Sequence, residues 1–178
     1  MRQLTKDETL IYFEEINRRL SADGKHGEIL ITGGAALTLV FNARDATQDV
    51  DAIFHPISDM RKIIGSIADD YGLPYDWLND NVKVYITDKI KFEKFLSYSN
   101  LTVSVIDAES LLAMKLSSAR HGSKDMEDSI FLMKMLKIKT EKQLFDILDK
   151  YIDPFLRKIN VKHFVSETFE KYQIVIGE

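Results

Sequence analysis

Apolar residues recur along the chain with two spacings, and the switches between them mark its elements. From Thr5 to Ala22 the positions Leu10, Phe13, Ile16 and Leu20 follow helical spacing, and Thr5 with Glu8 forms the capping-box pattern that starts a helix. Glu28 to Thr32 is a short apolar run bounded by Gly27 and Gly33-Gly34, which predicts a buried strand. Small and apolar residues over Ala35 to Phe41 predict a short helix. Asp49 to Phe54 alternates charged and apolar residues with a period of two until His55-Pro56 stops it, predicting a second strand. Ser58 to Tyr71 carries Met60, Ile63, Ile64 and Ile67 behind a Ser N-cap and reads as a helix. Tyr75 to Leu78, Val82 to Thr87 and Leu101 to Ile106 are further strand candidates. Asp107 to Arg120 is a helix with the stripe Leu111, Leu112, Met114 and Leu116. Met126 to Leu136, Thr140 to Tyr151 and Val161 to Tyr172 continue as helices.

This order predicts an α/β (α+β) part over residues 1–107, then a helical part over residues 108–178 packed with it as one unit, since no Pro/Gly-rich linker separates them. At 178 residues such a chain can bury a sizeable core. Its 24 Lys+Arg against 28 Asp+Glu leave a net charge of -4, so bulk charge favours neither nucleic acid nor an anionic membrane. The absence of cysteine excludes a thiol nucleophile, a Cys-bound metal and a disulfide framework, and fits a cytoplasmic location. No signal-peptide core and no run of ~18 apolar residues is present, so no membrane partner is expected. His26, His55, His121 and His163 lack metal-ligand spacing, and no G-x-S-x-G, G-x-G-x-x-G or G-x-x-x-x-G-K pattern supports a hydrolase, Rossmann or P-loop site.

The chemistry lies in Gly33-Gly34, then fourteen residues, then Asp49-Val50-Asp51. Carboxylates two residues apart on a strand share a face and repel unless a cation lies between them. Hard Mg2+ (or Mn2+) takes oxygen ligands and leaves room for substrate phosphates, so Asp49 and Asp51 are the metal candidates. Glycines directly after a strand let a phosphate approach the backbone. Taken singly, a double glycine is an ordinary tight turn and Asp-x-Asp an ordinary exposed strand edge.

Their order resembles the DNA polymerase beta-like nucleotidyltransferase superfamily, in which such a glycine turn and a paired-acid strand form the triphosphate and metal site. Leu111-Leu112-Ala113-Met114-Lys115, then Arg120, then Lys124-Asp125-Met126-Glu127-Asp128 resembles the downstream segment of bacterial proteins related to the AbiEii abortive-infection toxins. The resemblance implies a minimal nucleotidyltransferase core, a mixed β-sheet flanked by helices, followed by C-terminal helices. It also implies metal-dependent transfer of a nucleoside monophosphate from an NTP to an acceptor hydroxyl, on tRNA, a protein or a small molecule. The alternative is a non-catalytic interaction protein on the same fold, such as a toxin–antitoxin component with an antitoxin partner.

Such enzymes carry a third carboxylate, and Asp76, Asp80 and Asp107 are its candidates, with Asp80 preferred narrowly over Asp76. Asp76 and Asp80 also read as turn residues, and Asp107 as the N-cap of the Leu111 helix. Gly33, Gly34, Lys115 and Arg120 are the nucleotide-binding candidates. For Lys115 and Arg120 the structural reading is ion pairing to Glu109 or Asp125; Asp125 and Asp128 suit a helix start for their charge alone.

Overall fold

The computed structural model describes residues 3–119 and 124–177, which fall into two compact units. The first comprises Met1–Val84 and Phe92–Ile106, the second Tyr85–Lys91 and Asp107–Glu178. Arg120 lies outside the described residues.

In the first unit, strand β1 (Leu4–Thr5) leads into helix α1 (Lys6–Ala22) through the capping box: the Thr5 hydroxyl accepts from the Glu8 amide, and Glu8 accepts from the Thr5 amide. Strand β2 (Gly27–Ile31) is followed by helix α2 (Gly33–Leu39), so the double glycine is the first turn of that helix. Strands β3 (Ala46–Thr47) and β4 (Val50–His55) precede helix α3 (Ile57–Tyr71). The N-cap of α3 is Pro56, which makes no side-chain cap, where Ser58 was expected. Strands β5 (Leu78–Asn79), β6 (Phe92–Ser97) and β7 (Leu101–Ile106) complete the unit.

The main sheet is mixed, in the order β5-β4-β2-β7-β6. β2 runs antiparallel to β4 and parallel to β7, β5 is parallel to β4, and β6 is antiparallel to β7. β1 and β3 pair separately. The core gathers Phe13, Ile16 and Leu20 of α1, Ile29 and Ile31 of β2, Val50, Ala52 and Phe54 of β4, and Met60, Ile64 and Ile67 of α3, all buried. Removing this apolar surface from water, at roughly 25 cal/mol per Å², is what holds the strands in register.

Two strand expectations differ from the structure and one strand was not expected: of Tyr75 to Leu78 only Leu78 is in a strand, β5, because the Trp77 amide closes a turn on the Pro74 carbonyl at 3.1 Å. Val82 to Thr87 is overlapped by a 3-10 helix, Asn81–Tyr85, because Asn79 accepts from the Asn81 amide and the Asp80 carbonyl from the Lys83 amide. These local bonds outcompete pairing in a strand. β6 escapes the periodicity because it is half-exposed throughout and carries a register irregularity between Lys94 and Leu96, so no clean alternation forms.

The second unit contains helices α4 (Ala108–Ser118), α5 (Asp125–Met135), α6 (Glu141–Tyr151) and α7 (Val161–Gly177). Leu112, Leu116, Leu132, Met133, Leu144, Leu148, Phe164 and Val165 are buried among them. Asp107 caps α4, accepting from the Ser110 amide at 2.7 Å, and Thr140 with Gln143 makes a second capping box at α6. Among the described residues no helix is long and apolar enough to cross a membrane.

Candidate active site

The site begins where β2 stops. Thr32 donates to the Asp51 carbonyl from its amide at 2.8 Å and from its hydroxyl at 3.3 Å, which ties the end of β2 to the start of β4. Gly33 follows at φ +60°, a conformation that costs an L side chain about 1–2 kcal/mol. A β-carbon there would also stand 2.9 Å from Asp51 Oδ2. The missing side chain at Gly33 is therefore what lets the Asp51 carboxylate lie against the turn. At Gly34 a β-carbon would meet Thr47 Oγ1 at 3.0 Å and Arg44 Nη1 at 3.4 Å.

Asp49 lies one residue before β4, with its carbonyl accepting from the Thr47 hydroxyl at 3.0 Å. On the other side, β5 runs parallel to β4 and sets Asn79 beside Asp51. Asn79 Nδ2 reaches Asp49 Oδ2 at 3.5 Å and the Asp76 carbonyl at 3.3 Å. Trp77 anchors this edge. Its ring is buried, its indole N–H donates to the Ile64 carbonyl at 3.2 Å, and its own carbonyl accepts from the Val50 amide at 2.7 Å.

Burial pushes the Asp49 carboxyl above the usual carboxylate range, and the negative charges of Asp51 and then Asp76 push it further. The charge of Asp76 is thus also felt at Asp49. Asp80 faces a different set of partners: Arg61 Nη2 at 3.1 Å and Lys83 Nζ at 3.0 Å. The Lys83 hydrogen bond chiefly, with the Arg61 pair, holds the Asp80 carboxyl below its ordinary value. Of the two acids preferred as third carboxylate, Asp80 is ion-paired with Arg61 and Lys83, and Asp76 acts on the Asp49 carboxyl through its charge. Sequence spacing places both near the strand end, and only their partners in the folded chain tell them apart.

The family model "Nucleotidyltransferase of unknown function (DUF6036)" matches residues 8–173. The chain belongs to this family. Among solved structures, an antigenic nucleotidyltransferase-like protein from Paracoccidioides brasiliensis is similar in fold, with a TM-score of 0.50 at 14% identity, covering 85% of this chain and 97% of that one. No curated protein matches the sequence. In this nucleotidyltransferase, the Asp49 carboxyl feels the charge of Asp51. Among the described residues no group of three His, Asp or Glu side chains is placed to hold a metal ion.

Lys115 and the Lys124-Asp128 motif meet in the second unit. Lys115 Nζ pairs with Asp125 Oδ1 at 2.7 Å and Asp128 Oδ2 at 2.9 Å, and Ser118 donates to Asp125 Oδ2 at 2.8 Å. The ion pair with Asp125 is the structural reading of Lys115. Arg44, Thr47, Thr32 and Asn79 are the site residues that the motif missed. Arg44 and Thr47 fall inside the fourteen-residue spacer, and Asn79 lies between the two acids singled out at that edge.

The raised Asp49 carboxyl has a consequence for stability. A carboxyl that titrates higher folded than unfolded stabilises the fold below its unfolded value, and that contribution is lost as pH rises through the folded value. Ionised Asp49 therefore opposes folding at neutral pH. Asp49→Asn is expected to melt above wild type at pH 7.5, with the gap closing below about pH 4. Thermal denaturation of both proteins across that range checks it, and a lower midpoint for the variant at pH 7.5 would contradict the site's electrostatics.

Proposed function

We propose that this chain transfers a nucleoside monophosphate from an NTP to an acceptor hydroxyl with the help of a divalent cation. The observation that carries the reading is the contact of the Asp51 carboxylate with the bare Gly33 turn, beside an Asp49 whose charge is disfavoured by its neighbours. Such a donor set, oxygen only and mutually repelling, fits Mg2+ or Mn2+ held by Asp49 and Asp51. When bound, the metal supplies neutralisation of phosphate charge and orientation of the triphosphate.

The residues of the chain do the rest. The missing side chains of Gly33 and Gly34 let Asp51, Thr47 and Arg44 close on the turn that would carry the phosphates, and Asn79 orients Asp49. The acceptor oxygen forms a bond to the α-phosphorus, the bond to the bridging oxygen breaks, and pyrophosphate leaves; Asp76 takes the hydroxyl proton. The AbiEii-like branch is kept as part of the proposal on the sequence likeness of Leu111 to Lys115 and Lys124 to Asp128, and the toxin–antitoxin role belongs to the non-catalytic alternative.

Incubation with α-labelled NTPs, Mg2+ or Mn2+, and pools of total RNA and total protein is expected to label one pool, with the label lost in EDTA. Absence of label from every combination would overturn transfer and favour the non-catalytic interaction protein.

A further inference from the structure

The turn after α6 holds large apolar side chains in water. Phe155 and Ile159 are fully exposed, and Leu156 beside them is exposed as well. The backbone that carries them is fixed. In the 3-10 helix Pro154–Leu156 the Leu156 amide donates to the Asp153 carbonyl at 2.9 Å, and the Arg157 amide to the Pro154 carbonyl at 3.2 Å. The Arg157 guanidinium reaches back to the Leu148 carbonyl at 3.0 Å, the Ile152 carbonyl at 2.6 Å and Asp149 Oδ1 at 2.7 Å. Asn160 Nδ2 donates to the Ala119 carbonyl at 3.2 Å, and Lys89 pairs with Asp153. A loose turn folds its apolar side chains inward, whereas one pinned on both sides keeps them presented as a cluster that a partner can cover.

The same unit contains a groove that complements this turn. Leu136, Ile138 and Ile147 form its apolar lining and Glu109, Asp146 and Lys150 its charged lining, around a volume of about 280 Å³. Lys150 and Tyr151 both bond Glu109 Oε2, and Lys142 bonds Asp146. The side chains of Glu109 and Asp146 nevertheless stay 39% and 57% exposed, and a carboxylate has acceptor sites for more than one donor. The turn supplies further cations: Lys158 and Lys162 are exposed and pair with no acid among the described residues. We infer that the chain self-associates through these two features, Phe155 of one copy seated in the groove of a second, Ile159 covered by the same contact, and Lys158 and Lys162 facing the acids. Helix α6 carries Ile147 and Lys150 of the groove and runs directly into the turn, so a two-fold axis beside α6 lets each copy fill the other's groove and closes the assembly at a dimer. A few buried anchors of this kind carry most of the energy of an interface. An anionic membrane is the other surface that takes an apolar tip flanked by lysines, and the net charge of -4 disfavours it. The inference is independent of the nucleotidyl-transfer reading.

Sedimentation equilibrium of the full chain, from low micromolar to submillimolar concentration, is expected to show monomer in exchange with dimer. Phe155→Ser and Ile159→Ser should each weaken dimerisation at least about 10-fold, because each removes apolar surface that the contact buries. Both side chains are exposed in the single chain, so circular dichroism should show the fold unchanged. Asp146→Lys, on the groove side, should also weaken the dimer, and added salt should weaken that of wild type. A wild type that stays monomeric throughout, or a dimer that is as tight in the Phe155→Ser, Ile159→Ser double variant, would overturn the proposal. Wild-type dimerisation in Asp146→Lys would overturn the groove as the seat of the turn. Cosedimentation of monomeric wild type with phosphatidylserine vesicles, lost in Phe155→Ser, would overturn self-association in favour of a membrane.

Discussion

Asp51→Asn is expected to lower nucleotidyl transfer by at least about 100-fold while the fold persists, the scale of loss when a charged group acting at the reacting centre is removed. The amide is nearly isosteric, so the clearance over Gly33 and the Thr32 bonds to the Asp51 backbone survive. What changes is charge. Half of the paired-acid donor set disappears, and with it the means of holding a divalent cation. The assay is label transfer to the acceptor pool with Mg2+ or Mn2+, together with Mn2+ titration by calorimetry and a circular dichroism spectrum. Turnover within a few-fold of wild type would remove Asp51 from the mechanism. In the same assay Asp76→Asn should be severely impaired and Asp80→Asn should retain turnover, because Asp80 is neutralised by Arg61 and Lys83. Those partners are more than half exposed, so losing the Asp80 pairs should cost no more than about 1 kcal/mol of stability. The reverse pattern would restore Asp80 as the third acid.

The second large effect is on stability. Lys115→Met is expected to destabilise the protein by about 3–5 kcal/mol, the range found when one partner of a buried ion pair is removed. Asp125 and Asp128 have side chains only 3% and 5% exposed, and Lys115 is 11% exposed, so solvent does little to screen the charges left behind. Asp128→Asn added to Lys115→Met should recover part of the loss by removing one of the two carboxylates. Urea unfolding of the three proteins measures both effects. A change below 1 kcal/mol in the single variant would show that the network is not what holds α4 to α5.

Much of the architecture was legible because it depends on local chemistry. The Thr5 capping box, the buried β2 run ahead of the double glycine, the period-two pattern of β4 and the Asp107 cap all follow from residues within a few positions of one another. Elements without such a signature were missed. β1 and β3 are two residues each and exist only because they pair with one another. β6 is held by β7, and its own side chains carry no alternation that would announce it.

The candidate site divides along the same line. Gly33, Gly34, Asp49 and Asp51 are readable from order and spacing, since a strand, a bare turn and alternating acids on the next strand need only short-range geometry to be interpretable. Which further residues join them depends on pairings between distant segments. The parallel register of β5 on β4 brings Asn79 beside Asp51, Arg61 and Lys83 converge on Asp80, and the pairing of β1 with β3 sets Thr47 beside Gly34. A linear pattern carries the backbone's local preferences and the period of its apolar face, but the neighbours of a charged side chain are set by which strands pair and in what register. For that reason the paired acids and the glycine turn belong to the sequence, whereas the neighbours they acquire, Asn79 beside Asp51 and Arg44 and Thr47 beside Gly34, emerge only when the chain is folded.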